Sequence, residues 1–433
     1  MTHGNPVIAS PSRTAELHSF GSILFVAALV VAWVSLHPFG DLAAADALEL
    51  TSGNETATYA LFALFAAGST ALVWKNEGAA LRAAASPALL GLGAWRLICV
   101  ATSQHPVISA KRFVLLASVC ATCAALFLLP QGRKHLALLL AVACGIPLVL
   151  SYTGVVVMPH LAIHQVADLA EPDLAGKWRG VFAHKNDASA VFSLFVFIGI
   201  YIARAGYRHA GAGIALASAV FVVFSGGKSS TLICALTILA ALAIELTRSK
   251  LVWGVLIATP LLGLNLFGVG SVIFPEISGM VGDLPIDPTF TGRTDVWRFA
   301  LGHVRDHLSF GYGFSAFWNT EDLRFGAEDS TLWASGASHA HNGYLDAVLA
   351  LGLPGLALTV IAFVLAPARD LYRARSNGAN PALVLMLMQI WLFGICLSAL
   401  ESFFFDRSNP IWITFLFAIF AIRYIAAFRT SPR

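Results

Sequence analysis

Charged residues are scarce in this sequence. Asp, Glu, Lys and Arg make up 12% of its 433 residues, whereas about 25% is usual in a soluble protein. That shortage excludes an ordinary water-soluble domain, and 58% of the residues are hydrophobic. The net charge is only +3, and no nucleic-acid partner is expected. The composition predicts an all-α, polytopic membrane protein that forms a single integral membrane domain over residues 1–433.

Cysteine is missing from the large polar segments. All six cysteines lie inside apolar runs, where packing within the membrane is the simplest interpretation. The CATC pair, Cys120 and Cys123, has the spacing of a redox or metal motif but lacks polar surroundings. The first apolar run has no A-x-A site followed by a polar mature domain, so no cleavable signal peptide is expected.

Twelve apolar runs are long enough to cross a bilayer at about 1.5 Å per helical residue. They must be helical, because the bilayer interior offers backbone groups no water to bond. The predicted transmembrane helices cover residues 20–38, 57–75, 87–103, 112–130, 135–156, 187–204, 210–225, 229–247, 251–270, 342–366, 382–400 and 410–428.

The basic residues are distributed unevenly between the connecting segments. If the N-terminus is cytoplasmic, the segments on that side hold fifteen of the 27 Lys and Arg residues. The segments on the other side hold nearly all the Asp and Glu. By the positive-inside rule, both termini are cytoplasmic, and residues 271–340 form one large outer loop between the ninth and tenth spans.

The outer segment KWRGVFAHKND, residues 177–187, leads into the sixth span. Its candidate binding residues are Arg179, His184, Lys185 and Asn186. The last three would lie at the first turn of a helix, whose N-terminus attracts anions. The segment is therefore either a phosphate or diphosphate site or an interfacial belt of Trp, Lys and Arg.

Two further outer segments carry a single prominent cation near a predicted helix start. SGGKSST, residues 225–231, contains Lys228 but lacks the spacing of a P-loop; it either binds an anion or forms a tight turn with a snorkelling lysine. TGRTDVW, residues 291–297, contains Arg293, whose charge the helix dipole would not favour without an anionic ligand or Asp295. Trp297 is a candidate substrate-binding residue; the alternative is that it packs this helix on the membrane surface, as in an ordinary interfacial helix.

The fourth segment, SHAHNGYLD at residues 338–346, enters the tenth span. His341 is a candidate general base, since histidine titrates near pH 6.5. Asn342 would orient the imidazole or bind a sugar, although a helix-capping His–Asn pair is the simpler alternative. No compact set of carboxylates or cysteines completes a metal site with His339 and His341. Neither a metal nor another cofactor is predicted.

These segments, in this order, resemble the O-antigen ligase and polymerase superfamily, and most closely its ExoQ-like branch of exopolysaccharide polymerases. The matching segments are WRGVFAHKN (178–186), SGGKSST (225–231), TGRTDVW (291–297), GYGFSAFW (311–318) and HNGYLDAVLALGLPG (341–355). They cover the C-terminal three-fifths of the chain.

The resemblance implies a bacterial inner-membrane enzyme of about twelve helices with a periplasmic active site. It implies metal-independent glycan transfer from an undecaprenyl-diphosphate-linked donor to an acceptor hydroxyl, with a chain-length regulator and a flippase as partners. Arg293 and His341 fall on the family's two best-marked functional positions. Lys228 stands where the family's ligases usually have Arg, which favours a polymerase.

Three alternatives stay open at this point. A ligase would attach the glycan to lipid A core or to protein. A secondary transporter also suits about twelve spans, although ionisable residues inside the spans are few and Arg96 is the clearest. A scaffold for an envelope synthesis complex would depend on no single outer residue.

Overall fold

The structure is a computed structural model that describes residues 11–34, 36–43, 55–169, 171–247, 249–318, 320, 337–406 and 409–428. Helices dominate these ranges. The strand-like pairing found there is an isolated antiparallel bridge between Ile163 and Trp178. The prediction of an all-α, polytopic membrane protein is confirmed.

A helix occupies each of the twelve predicted positions, and a further helix of 12 residues lies between the ninth and tenth of them. The helices are α1 (Pro11–Val34), α2 (Glu55–Ala84), α3 (Pro87–Ala101), α4 (Pro106–Leu126), α5 (Arg133–Val157), α6 (Lys185–Arg204), α7 (Arg208–Ser225), α8 (Lys228–Leu246), α9 (Lys250–Phe267), α10 (Arg293–Val304), α11 (Gly343–Val360), α12 (Pro381–Leu397) and α13 (Pro410–Ala427). A π-helical turn, Ile361–Leu365, joins α11 to a final segment at Ala366–Ser376.

Within the described ranges, nine helices are long and apolar enough to cross a membrane, counting α11 with its continuation as one. Three shorter apolar helices, Ser19–Val34, Pro87–Ala101 and Pro381–Leu397, fill the other predicted positions. Leucines such as Leu239 and Leu262 expose about two-thirds of their surface, 64% and 66%. Apolar side chains facing outward are what a lipid environment requires.

Proline and asparagine mark the start of the most buried helices. Pro381 begins α12 and Pro410 begins α13, and proline suits that position because the first N–H groups of a helix have no partner anyway. The preceding residues, Asn380 and Asn409, accept N–H groups of the first turn. Local sequence thus fixes where these helices start.

The connections gather at two ends of the bundle. At one end, which we call the site end, Arg179 bonds the carbonyl of Gly40 at 2.7 Å, and the N–H of Gly343 bonds the carbonyl of Ser398 at 2.7 Å. At the opposite end Arg423 pairs with Asp370 at 3.2 Å.

Two glycine motifs fit into each other at the site end. The turn GYGF at 311–314 packs against the break in α11, where Gly352 has φ +69°. The N–H of Tyr312 bonds the carbonyl of Leu349 at 2.7 Å, and the N–H of Leu353 bonds the carbonyl of Leu308 at 2.8 Å. A Cβ on Gly352 would lie 2.5 Å from a backbone oxygen, so both motifs serve this close approach.

The large polar segment is anchored by α10 and a small core of its own. Trp297, Ala300, Phe317 and Leu349 belong to that core, which holds α10 against α11. Residues 319 and 321–336 lie outside the described residues. The prediction of one loop over 271–340 therefore remains a prediction.

Candidate functional site

Three ionisable side chains meet at the site end. Glu401, in the connection after α12, lies between Arg293 at the start of α10 and His341 before α11. Nη2 of Arg293 is 2.7 Å from Oε1 of Glu401, and Nδ1 of His341 is 3.4 Å from Oε2. Arg293 also donates to the carbonyl of Leu400. The two residues given most weight in the sequence are thus joined through a carboxylate, and we call Arg293, Glu401 and His341 the central triad.

The carboxyl of Glu401 is ionised at physiological pH. Burial raises its pKa, but the hydrogen bond with His341 and the charges of Arg293 and His341 outweigh burial and lower the pKa to about 2. An ionised carboxylate only accepts hydrogen bonds, so Nδ1 of His341 carries the proton. The lone pair of neutral His341 is then on Nε2, as a general base requires.

The backbone at His341 is held in an uncommon conformation. Its φ is +49°, in the left-handed region that costs a non-glycine residue about 1–2 kcal/mol. The indole N–H of Trp297 donates to the carbonyl of Ala340 at 2.9 Å, directly before this position. Trp297 is fully buried, so it positions the His341 segment from inside the protein.

Asn342 connects the start of α11 to the connection that carries Glu401. Its side-chain oxygen accepts the N–H groups of Tyr344 and Leu345 at 3.0 and 2.9 Å. Its amide donates to the carbonyl of Ala399 at 2.9 Å and to Asn265 at 3.2 Å. The side chain is 1% exposed, so it acts as a helix cap and as a spacer between His341 and Glu401.

His339 packs on His341 with ring centroids 4.2 Å apart. Its Nδ1 accepts the backbone N–H of His341 at 3.3 Å. Burial, followed by the charges of His341 and Arg293, lowers the pKa of His339 to about 4. His339 is therefore neutral at pH 7 and adds no charge beside the central triad.

Lys185 and Asn186 connect the start of α6 to the central triad. The amide nitrogen of Asn186 is 3.4 Å from Oε1 of Glu401. Nζ of Lys185 donates to the side chain of Asn186 at 3.3 Å and to the carbonyl of Gly226 at 3.5 Å. A cation thus stands one side chain away from the triad.

Two more lysines surround the turn between α7 and α8. Lys228 is the exposed first residue of α8, and the side chain of Lys177 lies against Gly226. Gly226 has φ +64°, and a Cβ on Gly227 would lie 2.0 Å from the hydroxyl of Ser189. The two glycines of SGGKSST therefore allow the tight turn that brings these cations together.

We call Lys177, Lys185 and Lys228 the lysine cluster. The charges of Lys177 and Lys228 both act on Lys185. Like charges this close repel each other, and an anion bound among them would relieve the repulsion. The N-termini of α6 and α8 lie at the same place and add to the positive potential.

His184 caps α6 and does not contact the central triad. Its Nδ1 accepts the N–H of Asn186 at 3.1 Å, and its Nε2 is 2.8 Å from Oε2 of Glu171. The hydrogen bond with His184 lowers the pKa of Glu171. His184 thus fixes the start of α6, and its role in anion binding remains a prediction.

Arg179 faces away from the lysine cluster. It is 1% exposed and donates to the carbonyls of Phe182 and Gly40 at 3.1 and 2.7 Å. Its guanidinium braces the segment before α6 against the connection after α1. A direct contact between Arg179 and a substrate, as expected from the sequence, has no geometric support here.

Sequence reasoning missed Glu401 and gave no role to Lys177. Both had a recognisable signal. Glu401 directly follows an apolar run on the same predicted side as Arg293 and His341, and a charge at a span end needs a partner. Lys177 is the first residue of the segment 177–187, but only later residues of that segment were taken as candidate binding residues.

Among the residues that the structure describes, no three His, Cys, Asp or Glu side chains come close enough to hold a metal ion. Independence of metal remains a prediction.

A family model described as O-antigen ligase matches residues 212–360. The matched region contains Lys228, Arg293 and His341. Lys185 and Glu401 lie outside it, so the site is completed by parts of the chain on both sides of the matched region.

The chain is 27% identical over 219 residues to the exopolysaccharide production protein ExoQ of Rhizobium meliloti (strain 1021). The match covers 47% of this chain and 48% of that protein, so it spans about half the length of the curated relative. The apolar helices, the matched region and this relative agree with each other. The chain is a polytopic membrane protein whose region 212–360 is similar to the O-antigen ligase family and which is also similar to ExoQ.

Proposed function

We propose that this protein transfers a glycan from an undecaprenyl-diphosphate-linked oligosaccharide to a hydroxyl group of a glycan acceptor, and so joins repeat units of an exopolysaccharide or O-antigen. One observation carries the proposal. A histidine held by an ionised carboxylate stands beside a cluster of lysines at one end of a membrane bundle. Such a site combines a base for a hydroxyl with cations for a diphosphate.

The lysine cluster supports binding of the diphosphate. Lys185 and Lys228 each begin a helix, where backbone N–H groups also attract an anion. Lysine binds phosphate as a point charge, so the site needs no bidentate arginine. Charge that grows on the leaving diphosphate would be stabilised here in surroundings partly shielded from water.

An apolar cavity supports binding of the lipid. A space of about 570 Å³ lies between α8, α9 and α12, lined almost wholly by apolar side chains such as Ile233, Leu256 and Leu392. Leu264 also lines it and directly precedes Asn265, which contacts Asn342. An isoprenoid chain in this cavity would lead to the lysine cluster.

The central triad supports the chemistry of transfer. Nε2 of His341 takes the proton of the acceptor hydroxyl while that oxygen forms a bond to the anomeric carbon. The bond from the anomeric carbon to the diphosphate breaks, and its electron pair leaves with the diphosphate. Glu401 stabilises the imidazolium that results. A single displacement of this kind inverts the anomeric centre.

In this proposal the protein lies in the bacterial inner membrane with both termini in the cytoplasm and the site end in the periplasm. The excess of basic residues at the opposite end supports that orientation. A chain-length regulator and a flippase would act with it, since the donor must be presented on the outer side and the product length controlled.

A ligase is the second candidate, favoured by the description of the matched family. It would use the same donor and the same central triad and would transfer the glycan to lipid A core or to protein. Lysine at position 228, together with the exopolysaccharide relative, favours the polymerase.

Transport has less support from the structure. Arg96 in α3 is 5% exposed, and its Cζ lies 3.6 Å from the ring centroid of Phe405 and 5.8 Å from that of Phe314. A transport site needs ionisable groups along an aqueous path, whereas Arg96 is packed against aromatic rings.

The test uses purified protein in liposomes supplied with lipid-linked repeat units extracted from cells that lack the protein. We expect a ladder of longer lipid-linked chains on a gel. Transfer only after addition of lipid A core would establish the ligase. No product with any acceptor, from a natively folded protein and an authentic donor, would contradict glycan transfer and return weight to a transporter or a scaffold.

A further inference from the structure

A second cavity at the site end is not explained by donor binding. It has a volume of about 370 Å³ and is formed by the start of α4, the 314–318 segment, the first turns of α11 and the connection after α12. His339 lines it, and the ring of His339 touches that of His341. The cavity is therefore separated from His341 of the central triad by one side chain, that of His339. None of its described lining residues is a lysine.

The chemistry of this cavity differs from that of the lysine cluster. Its charged lining residues are Arg112, Asp346 and Asp406, so carboxylates outnumber cations among the described residues. The described lining therefore lacks the excess of cations that would favour a diphosphate. Rings of Phe317, Trp318 and their neighbours supply broad apolar faces. Aromatic walls with a few fixed polar groups are typical of small-molecule sites.

The polar groups of the cavity are fixed in place. Oδ1 of Asp346 accepts the indole N–H of Trp318 at 2.7 Å and the backbone N–H of Ala340 at 3.1 Å. Arg112 donates to the carbonyl of Ser315. One carboxylate thus ties the aromatic wall of the cavity to the segment that carries His341.

Arg96 supports the floor of the cavity from behind. Phe405 and Phe314 both line the cavity, and the guanidinium of Arg96 stacks on the first ring and lies near the second. Its Nε and Nη2 have no hydrogen-bond partner in the described part of the chain. Because these two nitrogens lack hydrogen bonds in that part of the chain, attraction to the faces of the aromatic rings is a main interaction of the guanidinium. This attraction holds the two rings in place.

We propose that this cavity, which we call the aromatic cavity, binds the uncharged sugar residue of the acceptor that carries the attacking hydroxyl. The inference rests on the proposed function. A sugar ring presents C–H groups to the aromatic faces and hydroxyls to Asp346, Arg112 and Ser338. Its bound position beside His339 brings one hydroxyl to Nε2 of His341, while the donor diphosphate is held by the lysine cluster.

Two substitutions on one helix make a matched pair. Ala350 lines the aromatic cavity, whereas Ala357, two turns later in α11, is exposed on the outer surface of the bundle. Ala350→Phe fills the cavity, and Ala357→Phe adds the same group outside it. Ser338→Tyr narrows the cavity from the loop side. It replaces Ala350→Phe in the experiment if that variant gives too little folded protein.

The experiment measures transfer and binding separately. The donor is the lipid-linked repeat unit from cells lacking the protein, and the acceptor is the fluorescently labelled repeat oligosaccharide released from the same lipid. We expect Ala350→Phe to raise the half-saturating acceptor concentration roughly tenfold or more, since a misfit in a packed site costs about that much. Donor affinity should stay within about twofold, and Ala357→Phe should match the wild type.

Equal acceptor saturation in wild type, Ala350→Phe and Ser338→Tyr would overturn the aromatic cavity as the acceptor site. Direct binding of the labelled oligosaccharide, followed by fluorescence polarisation, separates this outcome from failure of the proposed function. Suppose that the wild type binds the oligosaccharide without transferring glycan, and that Ala350→Phe abolishes binding. The aromatic cavity would then be supported as the acceptor site, and the proposal of glycan transfer would be contradicted. Binding that persists in Ala350→Phe contradicts the cavity whatever the wild type catalyses.

Discussion

Each end of the bundle contains a carboxylate that is largely shielded from solvent and paired with arginine, but only one of the two lies among groups suited to a reaction. At the opposite end, Asp370 receives Arg369 on one oxygen at 3.1 Å and Arg423 on the other at 3.2 Å. At the site end, Glu401 receives Arg293 on one oxygen and His341 on the other. The two carboxylates are 5% and 18% exposed.

The difference lies in the second partner. Arginine never loses its proton in a protein. Both oxygens of Asp370 are therefore paired with permanently charged donors, and the carboxylate holds helix ends together. Histidine can take and return a proton near neutral pH. The lysine cluster also stands beside Glu401, whereas arginines dominate the surroundings of Asp370. An ion pair by itself does not show that either end is functional. The titratable partner and the nearby cations distinguish the site end.

The largest effect should follow removal of the base. His341→Ala should lower the transfer rate by roughly 10²–10⁴-fold, the range typical of general bases, at unchanged protein abundance. The assay is ladder formation in liposomes. His160→Ala, an exposed histidine at the same end, is the matched control and should keep full activity. Similar ladders from both variants would contradict the role of His341.

The next effect compares the two carboxylates directly. Glu401→Gln removes the charge that orients His341 and should lower the transfer rate by roughly 10–100-fold, with a modest change in melting temperature. Asp370→Asn should do the reverse, with a lower melting temperature and a near-normal rate per folded molecule. Rates are measured in liposomes and melting temperatures in detergent. If Glu401→Gln and Asp370→Asn both lowered the transfer rate and the melting temperature to the same extent, the proposed difference between the two ends would be contradicted.

Two lysines that begin helices at opposite ends give a smaller comparison. Lys228→Ala should weaken donor binding by roughly three- to tenfold, as expected for loss of one partly screened charge. Lys250→Ala, at the first residue of α9, should leave binding unchanged. Donor binding is followed by displacement with undecaprenyl diphosphate at low and high salt. An effect of Lys228→Ala that did not shrink at high salt would argue against an electrostatic role.

The smallest effect concerns pH and stability. The pKa of His339 is about 4 in the folded protein and about 6.5 when unfolded. The unfolded chain binds the proton more readily, so stability falls as pH falls from about 6.5 to about 4. Below about 4.5, protonation of Glu401 adds to the loss, since its folded pKa is about 2. Melting temperatures between about pH 7 and pH 5 should fall less in His339→Gln than in the wild type.

The helices could be predicted because the membrane leaves the backbone few choices. Apolar length alone placed a helix at every expected position, although α2 and the continuation of α11 extend beyond the predicted ends to Ala84 and Ser376. Apolar length does not report these extensions, because a helix outside the bilayer no longer needs apolar side chains.

The candidate site could be predicted only in part. Arg293, His341 and Lys185 stand out as cations or a base in outer segments. Their arrangement depends on Glu401, more than one hundred residues from Arg293 along the chain, and no local pattern reveals that pairing. For the same reason the sequence could not show that Arg179 turns inward, since its carbonyl partner at Gly40 lies in a distant connection.

In the proposed mechanism, His341 and Glu401 act as one unit. Single-turnover transfer rates of His341→Ala, Glu401→Gln and the double variant, each with donor bound at saturation, test it most directly. If the two side chains act together, the double variant should be no slower than His341→Ala alone. If the losses of the two single variants multiply in the double variant, the two residues act independently and the account of the central triad is wrong.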